Sequence, residues 1–117
     1  MTDRDPDCLF CKIVAGEIPS DQVHADDQVV AFRDINPQAP THVLVIPRRH
    51  IPDAHALGED DGEILARLFT AARGIADAEG LTSGYRIVTN VGEEAGQSVF
   101  HLHLHLLGGR PMRWPPG

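Results

Sequence analysis

The chain has 117 residues, of which 42% are hydrophobic, so it is long enough for one small domain with a modest core. Its formal net charge of −7 argues against a nucleic-acid partner, because binding to a phosphate backbone relies on Lys and Arg. No apolar run approaches the roughly 20 residues needed to span a bilayer, and the polar N-terminus is unlike a secretory signal. We therefore expect one cytoplasmic domain over residues 1–117, with no membrane partner.

The N-terminal third is predicted to contain a short helix and a hairpin. Residues 1–6 have the composition of a flexible tail, and the short helix is predicted over 8–15, ended by Gly16. Two strands, over 22–25 and 28–32, follow and are joined by a tight turn.

The middle of the chain is predicted to contain a rigid loop, a buried strand and the one long helix. Prolines restrict the loop at 36–40, and the strand covers 42–46. The helix is predicted over 59–79, where apolar residues recur every three or four positions, and Gly80 ends it. The residues of this apolar stripe are Ile64, Leu65, Leu68, Phe69, Ala72, Ile75 and Ala76.

Two further strands are predicted in the C-terminal third, over 85–91 and 99–107. The tail at 108–117 contains three prolines and the only tryptophan, so we expect it to be extended. Together the elements predict an α+β domain: an antiparallel sheet of about five strands, with one long helix and one short N-terminal helix.

The strand over 99–107 carries most of the chemical information. Side chains alternate between the faces of a strand, so His101, His103 and His105 share one face while the leucines between them face the core. This row supports three interpretations. It is a polar sheet face, a set of ligands for a catalytic zinc, or a nucleophile between two supporting histidines.

The loop before this strand favours the nucleophile. Glycines at positions 92 and 96 permit a tight turn whose backbone N–H groups converge into a nest for an anion, and Gln97 and Ser98 add side-chain donors. A phosphate bound there would lie beside the histidine row. Neutral imidazole attacks phosphorus competently near pH 7, which indicates His103 as the attacking group.

The segment 101–107 resembles the motif of the histidine-triad (HIT) family, in which three histidines alternate with apolar residues. Segments 31–47, 96–99 and 108–117 resemble the Hint branch of that family, so the resemblance covers nearly the whole chain from Cys8 onward. It implies a HIT-like fold and a homodimer in which the two sheets join, with a purine mononucleotide (AMP or GMP) bound in each protomer.

The activity that the resemblance implies is hydrolysis of purine nucleoside phosphoramidates or acyl-nucleotides, such as lysyl-AMP, to the 5′-monophosphate. The reaction would pass through a covalent nucleotidyl-histidine and need no cofactor. Two other functions stay open: hydrolysis of diadenosine polyphosphates, and a non-catalytic role as a nucleotide-binding scaffold.

The resemblance also assigns residues to the site. The nucleophile falls on His103, the other catalytic positions fall on His42, Ser98 and His105, and the acceptor of the ribose hydroxyls falls on Asp34. The remaining positions of the base pocket and the phosphate site are Leu9, Phe10, Ile13, Ile18, Phe32, Ile35, Asn90, Gly96, Gln97, Ser98 and Val99. Alternative roles are a loop cap for Asp34 and core packing for the apolar residues. We expect Trp114, which has no local partner, to pack near the partner protomer's nucleotide.

The only two cysteines, Cys8 and Cys11, suggest metal or redox chemistry in a reducing compartment rather than a structural disulfide. In some bacterial HIT proteins, and in the related galactose-phosphate uridylyltransferases, such a pair forms a zinc site with two histidines. The matching residues here are His50 and His101, and four such ligands suit a structural zinc. Free thiols and a redox-active pair are the alternatives.

Overall fold

A five-stranded antiparallel sheet with the order β1-β2-β3-β5-β4 organises the fold. The strands are β1 (Gln22–Ala25), β2 (Val29–Arg33), β3 (Thr41–Pro47), β4 (Tyr85–Val88) and β5 (Leu104–Gly108). This computed structural model describes residues 4–117, so the first three residues of the predicted tail lie outside the described residues. The predicted α+β class and antiparallel sheet are confirmed.

Two α-helices accompany the sheet, α1 (Leu9–Val14) and α2 (Gly62–Ala78). The Cys8 side chain caps α1 by accepting a hydrogen bond from the backbone N–H of Cys11. Helix α2 begins later than predicted, because residues 59–61 form a separate 3₁₀ turn before it. Among residues 4–117, no helix combines the length and the apolar character needed to cross a bilayer.

The predicted apolar stripe of α2 is only partly buried. Leu68 and Ala72 are fully buried, whereas Leu65 and Phe69 are 38% and 46% exposed. The reason is geometric: α2 contacts the sheet along a narrow line through Leu68 and Ala72, and the two exposed side chains lie to one side of it. Ala71, which the stripe did not include, is buried instead.

The last two strands are shorter than the predicted segments, because β4 ends at Val88 and β5 begins at Leu104. The segment before β5 hydrogen-bonds to a loop rather than to a neighbouring strand: the backbone N–H of Leu102 donates to the Ile51 carbonyl at 2.6 Å. The predicted alternation persists through this segment nonetheless, since the leucines at 102, 104 and 106 are all buried in the same core.

The two helices cover opposite faces of the sheet, which divides the interior into two cores. The larger core lies between the sheet and α2 and contains the three leucines that alternate with the histidines. The smaller core lies on the α1 face, where Phe10 and Ile13 of α1 pack with Phe32, Leu44 and Ile46 of the sheet. The histidines therefore face α1, and the site is built on that side.

The two ends of the described chain are irregular. Residues 4–6 are tied to α1, since the Asp5 carbonyl accepts the backbone N–H of Cys8 at 3.1 Å and Arg4 forms an ion pair with Glu17. At the other end, residues 109–117 form neither helix nor strand, and the Trp114 side chain is 85% exposed.

Candidate functional site

A cavity of about 790 Å³ opens on the α1 face of the sheet. Most of the predicted nucleotide-binding residues line it, namely Leu9, Phe10, Ile13, Ile18, Phe32, Asp34, Ile35, Ser98, Val99, His103 and His105. The structure does not place Asn90, Gly96, Gln97 or Trp114 in this lining. Helix α1 and strands β2, β3 and β5 contribute to the lining, and the remaining residues come from the loops after α1 and β2 and from the segment before β5.

Five further residues line the cavity that sequence reasoning missed: Pro19, Ser20, Asp21, Arg33 and Leu44. The alternation of β3 contained a signal for one of them, because Leu44 lies two positions from His42 on the same face and directly opposite His105. Of the buried side-chain polar atoms in the described chain, the Ser20 hydroxyl oxygen has no hydrogen-bond partner.

The His103 ring is held in one orientation and one tautomer. Its Nδ1 lies 2.7 Å from the backbone carbonyl oxygen of His101, so Nδ1–H donates to that oxygen. In the neutral ring Nε2 then carries the free lone pair. Burial lowers the pKa of His103, which favours this neutral form at pH 7. A neutral imidazole with one directed lone pair at a cavity wall is suited to nucleophilic attack.

A second hydrogen-bonded chain orients His105. The backbone N–H of Gln38 donates to Nδ1 of His42 at 3.0 Å, so the proton of a neutral His42 is on Nε2. That Nε2–H donates to Nδ1 of His105 at 3.0 Å, so the proton of a neutral His105 is on its own Nε2, which is left as a donor. Burial lowers the pKa of both rings, in His105 to about 4, so both are neutral near pH 7.

An aromatic contact between α1 and the sheet fixes the position of the rings. The Phe10 ring meets the His103 ring edge to face, with centroids 5.1 Å apart, and meets the Phe32 ring in the same way at 5.4 Å. The His103 and His105 ring centroids are 4.9 Å apart, so both imidazoles are close enough to contact one bound ligand. Such T-shaped contacts restrict ring rotation and keep the two side chains aligned.

Asp34 caps a loop, which is one of its two predicted roles, and it also lines the cavity. Its Oδ1 accepts the backbone N–H of Asn36 at 2.8 Å, which is a loop cap before Pro37. Its Oδ2 lies 3.5 Å from Nε2 of His42, and the residue lines the cavity. Asp34 therefore caps the loop with one oxygen and presents carboxylate charge to the site with the other.

Two backbone donors of the glycine loop, which were predicted to converge on an anion, form hydrogen bonds within the loop. The backbone N–H of Gly96 donates to the Glu93 carbonyl at 3.0 Å, and that of Gln97 donates to the Gly92 carbonyl at 3.1 Å, so neither points at a ligand. The Gln97 side chain is buried, donates to two carbonyl oxygens and accepts the backbone N–H of Gly92. Gln97 closes the loop on itself, and Ser98 is the loop residue at the cavity.

The four predicted metal ligands form a cluster beneath the histidine row. One ligand atom from each of Cys8, Cys11, His50 and His101 lies within 4.8 Å of all the others. Nδ1 of His101 is 3.4 Å from the Cys8 sulfur and 3.6 Å from the Cys11 sulfur, and Nδ1 of His50 is 3.3 Å from the Cys11 sulfur. These distances are close to the separation of about 3.6 Å expected between sulfur and nitrogen ligands of one tetrahedral zinc.

The surroundings of the cluster suit metal binding. Nε2 of His101 donates to the Pro47 carbonyl at 2.8 Å, which directs the Nδ1 lone pair at the sulfurs. Backbone N–H groups of Asp5 and Cys11 lie 3.4 Å from the sulfurs of Cys11 and Cys8, respectively, where they stabilise thiolate charge. Both cysteines are buried and unpaired.

Comparison with known proteins agrees with this arrangement. The chain matches the family model described as HIT domain over residues 15–112. A solved HIT family hydrolase from Legionella pneumophila Philadelphia 1 is 55% identical, with a TM-score of 0.93 over 95% of this chain and 100% of that one. The 14 kDa zinc-binding protein of Zea mays is 50% identical over 97% of this chain and 90% of its own length. A histidine triad nucleotide-binding protein from Candida albicans is 32% identical, with a TM-score of 0.80 over 93% and 83%.

The low pKa of His105 predicts that acid destabilises the fold. The folded pKa is about 4 and the unfolded value is near 6.5, so the unfolded chain binds more protons in that window and stability falls as pH falls through it. We expect His105→Asn to lessen the loss of unfolding free energy between pH 7 and 4.5 by about 2 kcal/mol, after allowance for the partly exposed ring. Urea unfolding at both pH values measures this, and parallel losses in the two proteins would contradict it.

Proposed function

The chain belongs to the HIT family, and on that premise we propose that it hydrolyses purine nucleoside phosphoramidates or acyl-nucleotides to the 5′-monophosphate, as the Hint branch does. The observation that carries the proposal is the His103 ring, whose Nδ1–H is bound by the His101 carbonyl at 2.7 Å. Its Nε2 lone pair is thereby available at the wall of a cavity large enough for a mononucleotide.

The reaction proceeds in two displacements. Nε2 of His103 forms a bond to the α-phosphorus while the bond to the leaving nitrogen or oxygen breaks, and the leaving group takes a proton from Ser98 or a nearby imidazole. Water then forms a bond to the phosphorus of the nucleotidyl-histidine while the bond from phosphorus to Nε2 of His103 breaks, and the proton of the water passes to the group that acted as acid. This step releases the monophosphate and the neutral imidazole. The Nε2–H of His105 donates to a phosphoryl oxygen, where negative charge increases in the transition state.

The cavity wall accommodates the rest of the nucleotide. Apolar side chains of α1, β2 and β3 stack against the base, with Leu9 44% exposed at the rim and Phe10 buried at the floor. The free oxygen of Asp34 accepts the ribose hydroxyls. In this proposal Asn90 and Ser98 contact the phosphate, whereas Gln97 and Gly96 shape the loop that presents Ser98.

We further propose that the Cys8, Cys11, His50 and His101 cluster holds a structural zinc. Two thiolates and two imidazoles are a donor set that zinc prefers, and a closed set of four leaves no open position for chemistry. When bound, the metal links α1 to the end of β3 and to the segment before β5. A reducing compartment such as the cytoplasm would keep both thiols available for it.

The proposed assembly is a homodimer whose sheets join at β4, with AMP or GMP bound in each protomer. Strand β4 is at one edge of the sheet, and Tyr85 on it is 41% exposed. Leu65 and Phe69 on α2 are also exposed, and in the proposed dimer the partner protomer covers these side chains. In the dimer, Trp114 packs near the partner's nucleotide.

The nucleophile is tested by His103→Ala, with His55→Ala as the control because His55 is exposed and outside the cavity. With an adenosine phosphoramidate we expect His103→Ala to lower kcat/KM by about 10³-fold or more, roughly 4 kcal/mol of barrier, while His55→Ala has no effect. Calorimetric AMP affinity should change little in either variant. Quenching in alkali, in which the histidine P–N bond survives, should trap an AMP adduct in the wild type and in His55→Ala but not in His103→Ala, and near-normal turnover of His103→Ala would refute the assignment.

The zinc proposal is tested by elemental analysis of protein purified without chelator. We expect one zinc per chain in the wild type and in His55→Ala, and a large reduction in His50→Ala. Metal that binds only the folded chain adds its binding free energy to stability, so chelation should lower the unfolding free energy by about 3 kcal/mol or more. Metal-free wild-type protein that is equally stable with and without chelator would be incompatible with this site.

The dimer is tested by light scattering at micromolar concentration. We expect twice the 12.8 kDa chain mass, since an interface above about 1,000 Å² holds at that concentration. Phe69→Glu should return the monomer mass. Gly74→Glu, which adds the same charge at an exposed position about 140° around α2 from Phe69, should leave the mass unchanged. A wild type that scatters as a monomer would rule the dimer out.

A further inference from the structure

The C-terminal tail contacts the loop before β3 through an arginine that the proposed reaction does not use. Arg110 donates from Nε and from Nη2 to the carbonyl oxygen of Gln38, at 3.1 and 3.0 Å. Its Nη1 donates to the Pro111 carbonyl at 3.0 Å, which fixes the guanidinium plane relative to its own tail. Two N–H groups of a rigid fork on one carbonyl make a charge-assisted and directional contact.

Close packing brings the tail to this loop. Gly109 has a φ of +90°, and a Cβ at that position would lie 2.9 Å from the Cβ of Pro40. A residue with a side chain would therefore push the tail away from the loop. Further along, Nη2 of Arg86 donates to the Arg113 carbonyl at 2.6 Å. The tail is thus attached on both sides of Met112, and the Arg110 contact is part of the folded structure.

The residue that Arg110 holds is the one that sets the tautomer of His42. Gln38 is bound at both ends: its carbonyl accepts from Arg110, and its N–H donates to Nδ1 of His42 at 3.0 Å. That N–H places the His42 proton on Nε2, which lies 3.0 Å from Nδ1 of His105. The Gln38 N–H therefore sets the direction of the donors in this chain, together with the Asp34 carboxylate oxygen 3.5 Å from Nε2 of His42.

We propose that Arg110 is a positioning residue, which holds Gln38 so that His42 and His105 keep the tautomers that direct a donor at the phosphate. The proposal rests on the proposed function, because only a bound phosphate needs that donor. If Gln38 turns away, Nδ1 of His42 can take the proton and the chain of donors reverses. Nε2 of His105 then presents a lone pair to a phosphoryl oxygen, and transition-state stabilisation is lost.

The test compares Arg110→Ala and Arg110→Lys with the wild type, and uses Arg113→Ala as the control. Arg113 is an exposed arginine in the same tail, and its part in the structure is played by its backbone carbonyl, which alanine keeps. With an adenosine phosphoramidate we expect Arg110→Ala to lower kcat about tenfold, as for the loss of one charge-assisted hydrogen bond, with KM nearly unchanged. Arg110→Lys retains the charge but not the forked guanidinium, so its kcat should lie between those of Arg110→Ala and the wild type.

Nitrogen-15 NMR of the imidazole rings provides a second readout that needs no substrate. In the wild type and in Arg113→Ala, we expect His42 and His105 each to carry the proton on Nε2. In Arg110→Ala a fraction of both rings should carry it on Nδ1. This readout tests the effect of Arg110 on the two tautomers without any reaction. A wild type that fails to hydrolyse the phosphoramidate would therefore refute the proposed function and leave the effect of Arg110 on the tautomers to be decided by NMR.

Two results would overturn the positioning role. One is Arg110→Ala with wild-type kcat and unchanged tautomers. The other is full wild-type kcat in Arg110→Lys, which would assign the effect to charge. If Arg110→Ala does not fold, Arg110→Lys still decides, since the fork geometry predicts a partial loss of kcat and a partial change of tautomer.

Discussion

One hydrogen bond, from Nδ1 of His103 to the carbonyl oxygen of His101, joins the two polar clusters on which the site depends. His101 contributes its imidazole to the Cys8 and Cys11 cluster and its carbonyl to the His103 ring. Because residues two apart on an extended chain share a face, both contacts follow from a single local conformation. Any change that rotates His101 therefore changes the tautomer and the orientation of the His103 ring as well.

Because burial keeps the histidine rings neutral, the groups that bond to them determine which ring nitrogen carries the proton. Desolvation lowers the pKa of His42, His103 and His105, so all three are neutral and each has one donor and one acceptor. A carbonyl at His101 leaves the lone pair of the His103 ring on Nε2, and an N–H at Gln38 makes Nε2 of the His42 ring a donor. The His42 ring in turn sets the tautomer of His105, so three identical side chains present different groups because of two backbone contacts and one contact between rings.

Local patterns predicted the elements and the faces, and missed what depends on distant contacts. The alternation of His103 and Leu104 predicted the site face correctly even though β5 begins only at Leu104. The glycine loop has the composition of an anion nest, yet the Gln97 side chain and the loop carbonyls use its donors. The contact of Arg110 with Gln38 joins residues 72 positions apart, so no local pattern contains it.

On the α1 face, apolar residues belong both to the core and to the pocket, two roles that the sequence analysis treated as alternatives. Phe10 is only 4% exposed, packs in the smaller core and also lines the cavity. Its ring touches both His103 and His101, so the same contact that stabilises α1 aligns the His103 ring. The larger core, between α2 and the sheet, contains none of these histidines. Truncating Leu68 in that core therefore removes stability alone, whereas truncating Phe10 removes stability, pocket shape and ring alignment together.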